Sequence, residues 1–269
     1  MAEFCPGYVR EPFATLATTY PDETAYPSPD FRTEWGPIFH RGRLDGSAHV
    51  LVIGQDPGQH EDVLRRILIG EAGRRAQGLL AKLGITRSYV FLNALLYSVY
   101  GANGAKYVSK PKVRDYRNLW IDALMSSGNV EAVLTFGQMG QKAWTDYANA
   151  HAPPSGIPVV ALIHPTFPES AGGTKAEKQA NTKKMLKQWN TALQALYPAI
   201  TSKDVPGAPL ALYGDAFVDA DKADIPAADL PAGIPRWMYH GDGWARRVGA
   251  TLLDKRRNIT ITVPDGVIP

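Results

Sequence analysis

Four short apolar runs, each followed by residues of helical period, constrain this chain more than any other feature. They are His49–Gly54, Tyr89–Asn93, Val130–Phe136 and Ile157–Ile163. All four read as strands, and the first two, continuous apolar runs closed by glycine or a polar residue, have the pattern of strands buried on both faces. Between them the period lengthens. A helical segment follows the first run through Leu83, with Leu79, Leu80 and Leu83 on one face and Gly84 as its stop. Val113–Met125 places Tyr116, Leu119, Trp120 and Leu124 on a shared face, a helix runs from Gly137 through Tyr147, and Thr174–Leu196 forms a long final one. Alternating strands and helices predict an α/β fold: a three-layer α/β/α sandwich around a central, mainly parallel four-stranded sheet with right-handed crossovers.

That domain spans residues 1–200, with residues 1–47 as an irregular lead-in rich in Pro, Tyr and Asp. Residues 201–269 form a Pro- and Asp-rich C-terminal extension expected to pack on the core, in which Asn258–Val263 alternates like a strand. No internal repeat is visible.

Composition removes several classes of function. No run approaches the roughly 18 apolar residues of a membrane span. The first residues lack a basic-then-apolar signal, so the expectation is a soluble, cytoplasmic protein. The lone Cys5 excludes an intramolecular disulfide, a cysteine zinc site and a four-cysteine iron–sulfur cluster. No two of the six histidines stand at the i, i+4 spacing of a metal pair, so no metal is expected. Gly70-Glu71-Ala72-Gly73 precedes a helix, but neither a phosphate-loop Gly-Lys-Ser/Thr nor a full dinucleotide fingerprint is present, and no cofactor is expected. Nothing fixes an oligomeric state.

Net charge is only +3, but it is unevenly distributed. Arg65–Arg117 holds 11 basic residues against Glu71 and Asp115, whereas Asp204–Asp242 holds seven Asp against Lys222 and Arg236. A basic middle beside an acidic tail is the footprint of a surface that faces a polyanion, or of ordinary solvated helix faces.

Open parallel sheets bind ligands beyond the carboxyl ends of their strands. Asp56 follows the first strand, Asn93 closes the second, Gln138 follows the third and His164 the fourth, so parallel strands bring Asp56, Asn93 and His164 to one rim. Gly54-Gln55-Asp56-Pro57-Gly58 is a stiff, tight turn that would hold a carboxylate rigidly, although Asp-Pro-Gly is also simply a good turn. His164 before Pro165 has a fixed direction and could donate to a developing anion, although a capped loop His would look the same. The Asn93 amide offers donors and an acceptor able to read the edge of an amide-containing ring; a turn-initiating Asn would look alike.

In order, these pieces resemble the uracil-DNA glycosylase superfamily. Its prototype carries Gly-Gln-Asp-Pro-Tyr-His at the first strand end, where this chain has Gly54-Gln55-Asp56-Pro57-Gly58. Its iron–sulfur branch has a Pro-Gly turn, a Glu-Asp pair and a glycine-ended run before a helix, matched by Gly58, Glu61-Asp62 and Ile67–Gly73, without the cluster cysteines. Phe91-Leu92-Asn93 resembles the uracil-reading strand, Thr135–Gln138 the structural turn, and His164-Pro165-Thr166 the His-Pro-Ser motif; the match covers about residues 48–196.

The resemblance implies a DNA glycosylase that hydrolyses the N-glycosidic bond, excises uracil and initiates base excision repair. Asp56 and His164 would be catalytic, and Gly54, Gln55, Pro57, Gly58, Leu68, Gly70 and Asn93 would line the substrate site. Gly58 replaces the tyrosine that closes the prototype pocket against a 5-methyl group, so 5-substituted uracils or other deaminated bases should enter. Leu68 stands where the iron–sulfur branch stacks an aromatic on the base. The loop Gly101–Lys112 lacks the histidine of the covalent DNA-trapping variant. DNA is the expected partner, with Arg65, Arg66, Lys106, Lys110 and Lys112 on phosphates and Phe167 as the wedge that fills the emptied stack. The rivals are a damaged-DNA or single-stranded-DNA binding protein with little turnover, and a nucleotide-binding α/β module.

Overall fold

The computed structural model describes residues 8–101 and 103–267, so Cys5 lies outside the described residues. Along the chain, α1 (Phe13–Leu16) precedes β1 (His40–Gly42) and β2 (Val50–Gly54); α2 (Gln59–Leu64) and α3 (Glu71–Lys82) lead to β3 (Tyr89–Asn93). Then come α4 (Pro111–Met125), β4 (Ala132–Phe136), α5 (Gly137–His151), β5 (Val159–Leu162), α6 (Phe167–Ala171) and α7 (Lys175–Ala199). The C-terminal segment adds α8 (Arg236–His240), β6 (Ala245–Arg247), α9 (Leu252–Arg257) and β7 (Ile259–Ile261).

The main sheet is ordered β1-β3-β2-β4-β5, and β2, β3, β4 and β5 run parallel. Its two faces feed separate cores, as alternation along a strand requires. Leu51, Ile53, Val90, Leu92 and Val133 pack with Trp120, Ile121 and Leu124 of α4 and Trp144 of α5. Val50, Val52, Phe91, Leu134 and Phe136 pack with Leu79 and Leu80 of α3 and Met185, Trp189 and Leu193 of α7. The result is helix–sheet–helix layering with the strand ends open on one rim.

Three details differ from the sequence expectation. The sheet has five strands, because β1 adds to its edge antiparallel to β3. His40-Arg41-Gly42 carries no apolar pattern, yet all three residues are buried. Arg41 is held there by partners distant in sequence: it donates to the Ile67 carbonyl (2.8 Å) and Gln77 Oε1 (3.1 Å), and pairs with Asp229 at 2.9 Å. Second, the helical segment after β2 is two helices, broken where Arg65 (φ 60°) and Leu68 (φ 52°) enter the left-handed region. Third, Leu119 is 52% exposed. Val113, Trp120, Ile121 and Leu124 face the core, and Leu119 falls beyond the edge of that stripe.

Residues beyond 200 cover the sheet domain through specific pairs. Asp204 accepts the backbone N–H groups of Thr86, Arg87 and Ser88 at 2.7–3.0 Å. A Cβ on Gly78 of α3 would lie 2.0 Å from the Asp221 carbonyl, so only glycine permits the close approach there. A small third core joins Ile225, Leu230, Trp244 and Ala245 to Leu64 and Ile69 of the α2–α3 region. Among the described residues no helix is long and apolar enough to cross a membrane.

Candidate active site

The rim holds a pocket of about 340 Å³ lined by Asp56, Asn93 and His164, together with Gln55, Gly58, Leu68 and Thr166. That lies at the small end of the roughly 300–1,000 Å³ typical of ligand pockets. Three strand ends deliver its polar groups. Gly54 and Asn93 are partners in the β2–β3 register, and a Cβ on Gly54 would lie 2.4 Å from Asn93 Oδ1. Glycine at 54 therefore makes room for the Asn93 side chain. That amide is buried, and no described residue hydrogen-bonds to it.

Asp56 sits on the turn after β2, where Oδ2 accepts the Val99 N–H at 3.2 Å. Burial pushes its carboxyl up to about 6, against the lowering effects of that hydrogen bond and of Arg247 and Arg32. Pro57 is buried, and its carbonyl accepts the Ser98 hydroxyl at 2.6 Å. Glu61 clasps the turn to the facing loop: one carboxylate oxygen accepts Gly58 N–H (2.9 Å) and the other Ile69 N–H (3.2 Å). A Cβ on Gly58 would lie 2.6 Å from Glu61, so the clasp needs glycine there. Burial raises Glu61 to about 7.

The facing loop is bent at Leu68, whose left-handed backbone is unusual for a branched side chain and clusters at functional sites in proteins generally. Gly73 of α3 permits the bend, since a Cβ there would meet the Leu68 carbonyl at 1.8 Å. Leu68 is a buried part of the pocket wall. Gly70 has φ 75°, and a Cβ on it would meet His60 and Asp242. Gln55 directs its side chain to the start of α5, with Oε1 3.5 Å from the Met139 N–H.

His164 follows β5. Its Nδ1 lies 3.4 Å from the Thr166 N–H and 3.1 Å from its hydroxyl. The amide can only donate, so Nδ1 accepts and the ring proton sits on Nε2. Burial lowers the ring's pKa to about 4, which keeps it neutral near pH 7. Arg75 of α3 steadies this loop, donating to the Pro165 carbonyl at 2.7 Å while pairing with Glu169 (2.8 Å) and Glu71 (3.0 Å). Phe167, half-buried at the start of α6, lines a neighbouring groove of about 660 Å³ with His164, Gln138 and Lys184.

The basic residues expected on phosphates do not form one free surface. Arg65 donates to the Trp35 and Pro37 carbonyls at 2.5 and 2.6 Å, and Arg66 is buried with a bond to the Arg65 carbonyl. Lys106 pairs with Asp30 at 2.8 Å, and Lys112 donates to Thr24 at 2.7 Å. Lys110 is exposed just before α4. Much of the basic middle is matched inside the molecule: Lys82 pairs with Asp221 (2.8 Å) and Arg74 with Asp224 (3.8 Å). Two aspartates of the acidic tail, Asp221 and Asp224, thus offset cations of that middle.

Sequence reasoning missed the pocket wall made by the C-terminal segment. Asp242 and Arg247 line the pocket beside His60 and Glu61. His60 packs edge-on to Trp244 and lies 3.6 Å from Asp242. Arg247 pairs with Asp62. About 185 residues separate that pair, and no local pattern announces it. Among the described residues, no group of three or more His, Cys, Asp or Glu is placed to hold a metal ion.

No curated protein matches the chain. A family model described as the Uracil DNA glycosylase superfamily matches residues 41–194, more than half the chain and all of the strand ends that carry Asp56, Asn93 and His164. The chain belongs to the uracil DNA glycosylase superfamily, a membership that supports a DNA glycosylase-type function.

Proposed function

We propose that this protein excises uracil and 5-substituted uracils from DNA by hydrolysing the N-glycosidic bond. The observation that carries the reading is one small pocket holding a half-buried carboxylate, an amide without a hydrogen-bond partner among the described residues and a neutral histidine with its proton on Nε2. A base inside a duplex is out of reach, so the nucleotide flips out or arrives on a single strand. The Asn93 amide then reads O4 and N3 of the base, and rejects cytosine because an amino group meets the donor. Backbone N–H groups near Gln55 hold O2.

As the bond breaks, the sugar gains positive charge and the base leaves as an anion. Asp56 stabilises the oxocarbenium-like sugar and orients the attacking water, as carboxylates do in glycoside hydrolysis. His164 donates from Nε2 to O2 as negative charge grows there, and the neutral ring does so without giving up its proton. Asp56 must be ionised, so the rate rises with pH through about 6. His164 stays neutral above about 4 and adds no limb near neutrality.

At position 58 there is no side chain to exclude a 5-substituent, and Glu61 and His60 line the pocket beside it. The test is release of base from labelled single-stranded oligonucleotides containing uracil, 5-hydroxymethyluracil or thymine, with Asp56→Asn alongside. Release of uracil and the hydroxymethyl base by the wild type, lost in a folded Asp56→Asn, is expected. Undiminished release by that variant would remove Asp56 from the chemistry. Salt-sensitive DNA binding with no abasic product would make the protein a binder on this scaffold.

A further inference from the structure

Arg247 lies outside the residues that match the family, in β6 of the C-terminal segment, yet it reaches the catalytic turn. Its guanidinium bonds to the Asp62 carboxylate on α2 and to the Ser98 hydroxyl after β3. Ser98 in turn donates to the carbonyl of Pro57, the residue next to Asp56. The Arg247 backbone N–H donates to Gln59 Oε1 at 3.3 Å, on the other side of the same turn. One residue therefore ties α2, the segment after β3 and the Asp56 turn together. Asp62 is almost wholly buried, with 1% of its side chain exposed, and Arg247 is its salt-bridge partner.

We infer that Arg247 is a positioning residue for the glycosidic chemistry: it latches the Asp56 turn and supplies the neighbouring cation, so the C-terminal segment is a working part of the site. The inference rests on the glycosylase reading above. Its physical basis is that a carboxylate orienting water must be held within a fraction of an ångström, and a misplacement of about 1 Å costs on the order of 100-fold in rate. The latch is anchored where the segment itself is fixed. Trp244 and Ala245 share a core with Leu64 and Ile69, and β6 pairs with β7.

Charge acts in the same direction. Among the groups near Asp56, Arg247, Arg32 and the Val99 N–H favour its ionised form and Asp62 opposes it; His60, Glu61, Glu71, His164 and Asp242 line the same pocket, and Lys142 lines the groove on its other side. Arg247 also faces His60, whose ring burial keeps less basic than usual. Without Arg247 the carboxyl of Asp56 loses one of the two cations that favour its ionised form.

The test uses the full chain with Arg247→Gln, Arg247→Lys and the double variant Asp62→Asn/Arg247→Gln, in which no buried charge is left unpaired. Steady-state kcat and KM and single-turnover excision are read across pH, and amide hydrogen exchange is followed over residues 55–58. The expectation is a fall in kcat of about 10- to 100-fold in Arg247→Gln, with KM nearly constant. The acidic limb should move to higher pH, exchange in the turn should quicken, and Arg247→Lys should recover part of the rate. The double variant should stay as slow as Arg247→Gln; recovery there would show that stranding Asp62 caused the loss, and would overturn the latch. A rise in KM alone would make Arg247 a DNA contact and overturn it too. If the wild type releases no base, the glycosylase reading fails, and exchange still decides the latch: unchanged exchange in the turn rejects it.

Discussion

The pocket has two sides of different origin. One side is the rim of the sheet: Asp56, Asn93 and His164 each sit at or just beyond a strand end, within a residue or two of the backbone that aims them. The other side is His60, Asp242 and Arg247, brought together by a segment that returns after passing over α3. The first side is built by local chain direction and the second by long-range pairing of charges. A reacting group on a strand end inherits the rigidity of the sheet, whereas a residue on the returning segment is only as well placed as the contacts that dock it.

The sharpest way to break that comparison is to undock the segment. Asp229 and Arg41 are both buried, and Asp229 also accepts the Tyr89 hydroxyl at 2.6 Å. Asp229→Ala should cost about 3–5 kcal/mol, because it strands a buried guanidinium, with urea unfolding as the measurement. A cost below about 1 kcal/mol would mean that the segment is an ornament on an independently stable domain. On the sheet side, His164→Ala should leave stability nearly unchanged and cost about 3–4 kcal/mol of transition-state stabilisation, or 10²–10³ in single-turnover rate.

Gly78→Ala sharpens the contrast without touching a charge. Its Cβ would press into the Asp221 backbone, so α3 and the segment must part, at about 1–3 kcal/mol. Thermal unfolding should report that loss, and excision should fall with it if the far wall matters to the chemistry. The smallest effect belongs to the exposed surface. Lys110→Gln should lower the slope of log affinity against log salt by about 1 without changing turnover. Arg65→Gln should instead leave the slope alone and reduce stability, since Arg65 is spent on the Trp35 and Pro37 carbonyls.

The charge pattern shows where reading a sequence stops. The contrast between Arg65–Arg117 and Asp204–Asp242 is plain in the chain and points equally to a surface that faces a polyanion and to ordinary solvated helix faces. In the folded protein Lys82–Asp221 and Arg74–Asp224 join the two stretches directly. Composition counts charges, but only the fold says which are already matched. The same holds for β1. His40-Arg41-Gly42 has no strand pattern, and it is buried because Asp229, 188 positions away, meets its arginine.

What the sequence determined by itself is the framework and its rim. Short apolar runs separated by stretches of helical period read as strands of one parallel sheet, and the glycine, asparagine and histidine that close them then emerge at its carboxyl ends, even for β5, an edge strand that is largely exposed. The step from Gly54 to Asp56, the Asn93 amide and the His164-Pro165 pair follow from that local rule. The tertiary structure alone decided the break between α2 and α3, the clasp made by Glu61, the docking of the segment on Gly78 and the arrival of Arg247 at the turn. The docking of the segment and the arrival of Arg247 depend on partners far apart in the chain, and even the Glu61 clasp, whose partners are 3 and 8 positions away, is made by side-chain and loop geometry on which backbone preference is silent.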